Sequence, residues 1–566
     1  MWPVKSEKMK ELKQRFEQAI KLAGYEAPAD FDFTIPPSDE MGDYSTSVAL
    51  AIASKNKENS KEVAENIIKQ LETLEFKNLE IAGPGFINIK LSDDFFHGYL
   101  KSVLKSGAEF GKSQVGKDLK VIVEFISANP TGPLHIGNAR GGPIGEVLSN
   151  VLVWQGYKVE KEFYVNDTGN QIKKFADTLA YYYTVKSDPK FNFPEGGYPG
   201  EFLREVSEEI QAEHKAEIIE LHDNQLSDFF AKVGLEKTIR RIKEDIESLG
   251  ISFDRFVYES DFLNSGKSME VVGKLKTDDH TNSREGALWF TSNELDPNDR
   301  ETVLLRSDAD NTPTYFATDI AYHKDKFDRG NNQLIDVWGA NHHGHIARLK
   351  SAMKAIGCDE SKLSIILYQN VRLKKDGETK QMGKRLGNFI NIADLITKLK
   401  VPADVFKYTI ISQATSSIID FDLDLALEQS EKNPVYYLQY AYARICSILR
   451  NAEKGEIEEL EKIANGQGTI KSDDLKKLTD KKEIALIKTF AGLSDVLEKI
   501  SGEFQIQALP HFATEIARAY HNFYSSCHVL SDDKELTRAR LLLVLATRNV
   551  LKISLMLMGI SAPEKM

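Results

Sequence analysis

The run from Val121 to Gly145, VIVEFISANPTGPLHIGNARGGPIG, restricts the fold more than any other stretch of this chain. Val121 to Ile126 is β-branched and aromatic, long enough for one buried strand. Asn129, Pro130, Gly132 and Pro133 then break it. From Gly145 to Leu152 apolar residues return at helical spacing. The order strand, polar loop, helix places backbone N–H groups and a helix N-terminus at the carboxyl end of a strand, where anionic ligands bind. Gly137 leaves room for a flat base, and His135 sets an imidazole donor beside it. Taken alone, the stretch fits an ordinary strand–helix corner with a surface histidine equally well.

It is not alone. His135-Ile-Gly-Asn138 resembles the HIGH signature of class I aminoacyl-tRNA synthetases, and Gln381-Met-Gly-Lys-Arg-Leu-Gly-Asn388 resembles their KMSKS loop. Four further words narrow the resemblance: SANPTGPL from Ser127, YVNDTGNQI from Tyr164, YFATD from Tyr315 and VWGANHHG from Val337. In that order, and over nearly the whole chain, they resemble the arginyl-tRNA synthetases.

Length and composition set the frame. At 566 residues the chain is too long for one core. It is 41% hydrophobic and 28% charged, as soluble globular proteins are. Three scattered cysteines, Cys358, Cys446 and Cys527, support neither a disulfide framework nor a cysteine zinc site, and fit a reducing cytoplasm. Met1 to Lys21 has no signal-peptide core, and Leu541 to Ile560 carries Arg548 and Lys552, so it reads as a buried helix. The net charge of -12 argues against a nucleic-acid partner unless a local basic track exists, because phosphate neutralisation needs Lys and Arg.

In chain order, residues 1–112 read as a small α/β module. Residues 113–400 read as an α/β core of parallel strands and helices, a Rossmann-like crevice with an insertion at about 173–300. Thr302 to Arg306 reads as the strand that begins its second half. Residues 401–432 connect, and 433–566 are all-helical, with Asn433 as cap and Pro434 at the first helical position. On pattern alone that bundle is as suited to dimerisation as to binding. The resemblance implies a class I synthetase core, an N-terminal module touching the tRNA elbow and a C-terminal anticodon-binding bundle. It also implies the activity of those enzymes: arginine is activated with ATP, which carries Mg2+, and transferred to its tRNA. A cytoplasmic monomer with no membrane partner is expected.

The resemblance implies site residues as well. His135 and Lys384 are the catalytic pair. Pro133, His135, Gly137, Asn138, Met382, Lys384 and Arg385 face ATP. Glu124, Ser127, Ala128, Asn129, Asn138, Tyr315, Asp319 and His342 face arginine. The residues suit that chemistry. A planar guanidinium wants a carboxylate fork and flat partners, and Tyr315 and Asp319, four apart, share a helix face. Glu124, a carboxylate in an apolar strand, needs a cation, from the ligand or a nearby Lys. Activation needs no general base, because the attacking carboxylate is already ionised.

The sequence also departs from the family's pattern. Asn138 replaces the second His of the first signature, Gln381 and Gly383 replace a Lys and the Ser of the second, and His342 stands where a Gln is common. These departures keep two rivals open: another class I synthetase, and an inactive tRNA-binding paralogue. His342, His343 and His345 lack helical metal spacing and nearby Cys, so no metal site is expected.

Overall fold

The computed structural model describes residues 7–29, 31–34, 36–71, 76–186, 190–221, 223–292, 302–307, 312–380, 390–471 and 473–566. The chain forms two compact units, 113–428 and, together, 1–112 with 429–566.

The unit 113–428 is built on five parallel strands: β1 (Lys120–Phe125), β2 (Lys158–Val165), β3 (Arg255–Tyr258), β4 (Gln333–Gly339) and β5 (Leu363–Tyr368). Their spatial order is β5-β4-β1-β2-β3. From β1 the chain therefore builds outward in one direction to β2 and β3, and in the other to β4 and β5. The switch lies between β1 and β4, the place where ligands bind in open parallel sheets. Central β1 is buried from Val121 onward, and apolar there apart from Glu124, as a strand covered on both faces requires.

Helix α1 (Gly141–Trp154) covers β1. It can lie that close because Gly145 has no side chain; a Cβ there would stand 2.2 Å from the Phe125 ring. Helix α2 (Tyr315–Asp328) leads into β4, and α3 (His343–Ala355) leaves it. Within residues 173–300, Arg255–Tyr258 is the edge strand of the main sheet, so two separate excursions occupy that span. The first is helical, with a core around Phe175, Leu179, Val206, Ile210 and Phe230. The second ends in a small antiparallel sheet of Thr281–Arg284, Ala287–Phe290 and Thr302–Leu305. Thr302–Leu305 is thus a strand, but it belongs to this satellite sheet and not to the parallel one. Four β-branched or leucine residues fix the strand; nothing local says which sheet receives it.

After β5 come β6 (Val371–Lys375), β7 (Glu378–Lys380) and β8 (Ile419–Asp422), in the order β7-β6-β8.

In the other unit, Phe76–Ala82 and Phe86–Leu91 pair antiparallel about the expected Gly-Pro-Gly turn, and Tyr44–Thr46 adds a third strand. The helix Asp93–Ser106, capped by Ser92, beds into the C-terminal helices: His97 Nε2 lies 2.8 Å from the Leu478 carbonyl, and Lys488 pairs with Asp43. Asn433 caps the helix Pro434–Asn451 as expected, its Oδ1 accepting from the Val435 N–H at 3.1 Å. Among the described residues no helix is long and apolar enough to cross a membrane.

Candidate active site

A cavity of about 340 Å³ opens at the carboxyl ends of β1 and β4. It gathers Glu124, Ser127, Ala128, Asn129, His135, Asn138, Tyr315, Asp319 and His342 from segments nearly 220 positions apart. Pro133 and Gly137 lie in the same signature loop but outside this lining. A Cβ on Gly137 would stand 3.0 Å from the His135 Nδ1, so that glycine makes room for the imidazole. Met382, Lys384 and Arg385 lie outside the described residues.

The floor of the cavity is set by strand register. Asp336 of β4, Glu124 of β1 and Glu162 of β2 are direct neighbours across the sheet, with Arg255 of β3 next in the row. Three like charges side by side are unfavourable, and α2 supplies the compensation. Lys326 Nζ lies 2.6 Å from Glu124 and 2.8 Å from Asp336. Arg329 lies 2.7 Å from Glu162. Tyr322 donates to Glu162 at 2.7 Å and to Glu124 at 3.1 Å. Glu124, His323 and Asp336 converge closely enough to hold a cation, and the Lys326 ammonium sits among them. Glu124 is therefore paired from within, and its Oε1 also accepts from Ser127 Oγ at 2.8 Å.

That last bond comes from an unusual turn. Ile126 and Ser127 follow β1 with φ of 66° and 39°. A β-branched residue there costs roughly 1–3 kcal/mol. The turn swings Ser127 back over Glu124, and its Oγ accepts from the Tyr164 N–H at 3.1 Å.

Asp319 stands one helical turn from Tyr315, as expected, but it is not a bare carboxylate. His345 Nε2 lies 2.6 Å from its Oδ2, and His323 Nδ1 lies 3.1 Å from its Oδ1. Burial opposes ionisation, yet the two imidazoles hold it well below the usual carboxylate range. His323 Nε2 also faces Asp336 at 2.8 Å, so both ring nitrogens meet acceptors. Burial works against its charge, but Asp319 and Asp336 carry its pKa up to about 10. His342 lies against Trp338, and burial and His345 push it below its ordinary value, so it adds no competing cation. His135 caps the short helix Ile136–Ala139, its Nδ1 accepting from the Asn138 N–H at 3.2 Å. The neutral ring therefore carries its proton on Nε2.

Sequence reading missed Glu259, His345 and His323. Glu259 begins a short helix after β3, is 4 % exposed and lines the cavity. Burial raises its pKa to about 7, opposed by a bond with Thr168 and helped by Asp167 and Asp319. No motif flagged it, because its neighbours in sequence are far from the signature words. The cavity thus presents Glu124, Asp319 and Glu259, with no Lys or Arg among its described lining residues.

Comparison with known proteins decides the family. The model "tRNA synthetases class I (R), catalytic domain" matches residues 99–404. "Arginyl tRNA synthetase N terminal domain" matches 10–91, and "DALR anticodon binding domain" matches 438–566. The chain belongs to the arginyl-tRNA synthetase family. It is 39% identical over 537 residues to the arginine–tRNA ligase of Heliobacterium modesticaldum, covering 95% of this chain and 94% of that one. Against the arginine–tRNA ligase of Carboxydothermus hydrogenoformans it is 37% identical, with 98% of each chain covered. A solved putative arginyl-tRNA synthetase from Campylobacter jejuni superposes with a TM-score of 0.73 at 31% identity, over 84% of this chain and 100% of that one. The arginyl-tRNA synthetase of Thermus thermophilus shares the fold, with a TM-score of 0.73 at 21% identity, over 99% of this chain and 100% of that one. The reading as a class I synthetase of another family loses its footing with this membership, since it accounts for the words around both signatures.

Proposed function

We propose that the chain is an arginine–tRNA ligase, activating L-arginine with ATP and passing it to the 3'-terminal adenosine of its tRNA. The observation that carries this reading is the cavity's charge: three carboxylates, an exposed tyrosine and no Lys or Arg among its described lining. Such a lining suits a planar cation.

In this reading the guanidinium lies between Asp319 and Glu259, with Tyr315 as its flat partner. Ser127, Ala128 and Asn129 hold the amino-acid backbone, with Glu124 behind them, and Asn138 and His342 flank it. An oxygen of the arginine carboxylate attacks the α-phosphorus, the bond to the β-phosphate breaks, and pyrophosphate leaves. The protein aligns the reactants and meets moving negative charge. His135 does this through Nε2–H, and Lys384 through its ammonium. Pro133, Gly137, Asn138, Met382 and Arg385 complete the nucleotide contacts. Mg2+ neutralises phosphate charge and arrives on ATP, which fits a carboxylate floor already filled by Lys326.

Residues 433–566 would hold the anticodon arm, and 1–112 the elbow. The bundle offers a platform suited to bases despite the acidic chain. Tyr436 and Tyr440 stack with 9° between their planes, and Arg444 lies 4.2 Å from the Tyr524 ring centre. A cytoplasmic monomer remains our reading of assembly and location.

The test is amino-acid-dependent ATP–pyrophosphate exchange. The family needs tRNA bound first, so arginine alone among the twenty should drive exchange, and only once cognate tRNA is added. Exchange with another amino acid would overturn the substrate; exchange without tRNA would overturn the coupling but not the substrate.

A further inference from the structure

Arg140 directly follows the first signature helix and is wholly buried, at 0% exposure. A buried guanidinium ordinarily meets a carboxylate. This one meets backbone carbonyls instead. Its Nη1 donates to Gln369 at 2.6 Å, Ser417 at 2.8 Å and Asn370 at 3.4 Å. Its Nη2 donates to Ala414 at 3.1 Å and Thr415 at 3.2 Å. Among the described residues Nε has no partner. Burial brings its pKa down only to about 10, opposed by Tyr368, so it stays charged at neutral pH.

The five carbonyls belong to two places, the junction of β5 and β6, and the turn before β8. Their oxygens point into one space and repel one another without a cation there. β6 starts at Val371, one residue beyond the grasped Asn370, and pairs with β7, which ends at Lys380. Residue 381 opens the second signature. The downstream flank of that signature is gripped as well. Asn391 bridges His135, the Ile136 N–H donates to Ile390 at 3.1 Å, and the Ile392 N–H donates to Leu134 at 2.8 Å. Asn391 further caps the helix Ile392–Thr397 through its side chain.

We propose that Arg140 is a positioning residue: with the Leu134–Ile136 backbone, it fixes both flanks of the second signature relative to His135, so that Lys384 meets the phosphates in register with the first signature. This rests on the reading of Lys384 given above. It explains a costly feature, since an apolar side chain could fill the space but could not gather five carbonyls.

A thermodynamic cycle in single-turnover adenylate formation, with the full-length protein, ATP, arginine and tRNA, tests it. Arg140→Lys keeps the charge but not the planar fork of donors. It should slow adenylate formation about tenfold or more with arginine affinity held within about twofold. In a Lys384→Ala background the same change should cost less than about twofold, because the group being positioned is gone. A merely structural arginine would cost the same in both backgrounds, and that result overturns the proposal. Lys384→Ala alone having no effect would overturn the reading of Lys384, and the proposal with it. Should Arg140→Lys not fold, Arg140→Gln, which keeps a planar donor without the charge, carries the same cycle, and additivity is again the overturning result.

Discussion

On the proposed reading, Glu259 should tie arginine binding to pH. Its carboxyl is nearly enclosed, and burial, Asp167 and Asp319 hold its pKa near 7 against the Thr168 hydrogen bond. At pH 7 about half of the ligand-free molecules therefore carry a proton there. A guanidinium seated against Glu259 favours the ionised form, so the proton must leave as arginine enters. About half a proton should be released per arginine at pH 7, approaching one near pH 6. Arginine should bind about tenfold more weakly at pH 6 than at pH 8. The ligand-free protein should show the opposite sign. A raised carboxyl pKa contributes stability that is fully present below the ordinary value of 4.5 and lost as pH rises through about 7. Titration calorimetry in two buffers of different ionisation enthalpy counts the protons directly. Glu259→Gln keeps the shape and removes the titration, so the release and most of the pH slope should vanish. His135, His342 and His345 share the cavity. If Glu259→Gln leaves proton release unchanged, the linkage belongs to one of them and the reasoning fails.

Three further outcomes are expected. Asp319→Asn should weaken arginine binding by about 2–5 kcal/mol, the cost of losing one partner of a desolvated pair, while ATP affinity measured by calorimetry stays within about twofold; unchanged arginine binding would remove Asp319 from the site. Lys384→Ala should slow activation far more than it weakens arginine binding, because the charge it meets develops mainly in the transition state; equal losses in single-turnover and binding measurements would make it a ground-state contact. Arg444→Ala should raise the KM for tRNA several-fold, by about 1 kcal/mol or more of lost stacking and charge, and leave arginine and ATP binding as they were; an unchanged KM would take tRNA off that face of the bundle.

Much of this architecture was legible because local chemistry dictates it. The strand at β1, the loop breakers after it, the Asn433 cap and the Gly-Pro-Gly hairpin each follow from residues within a few positions. Tyr315 and Asp319 sharing a face follows from helical period alone. What escaped was long-range. The ring nitrogens on Asp319 come from His323, one turn on, and from His345, beyond β4. Glu259 reaches the cavity only because β3 lies at the end of the sheet beyond β2. The partnership of 1–112 with 429–566 is of the same kind, since helix Asp93–Ser106 buries Phe96, Leu100, Val103 and Leu104 while His97 reaches Leu478. A chain cut near Glu431 would strip that helix of its cover. Loss of tRNA response in such a truncation would therefore not isolate an anticodon contact, and the point change at Arg444 is the cleaner probe.

The acidic row through Asp336, Glu124 and Glu162 shows why so much charge is worth burying in a parallel sheet. An apolar floor would be cheaper for stability. It would leave nothing to fix the electrostatic level of the cavity above it. Lys326 and Arg329 are committed to the row, and His323 is shared between the row and Asp319. Lys326, His323 and Arg329 are thus held at the floor by α2 and its C-cap, the same helix that carries Tyr315 and Asp319. Asp319 stays ionised although it is largely enclosed, and Glu259 stays poised near neutrality. On the proposed reading an incoming guanidinium meets one carboxylate already charged and one ready to become so, and no Lys or Arg of the cavity's described lining. On that reading an uncharged isostere of arginine would leave Glu259 protonated and add no charge-assisted pair to Asp319, so it should bind more weakly than arginine.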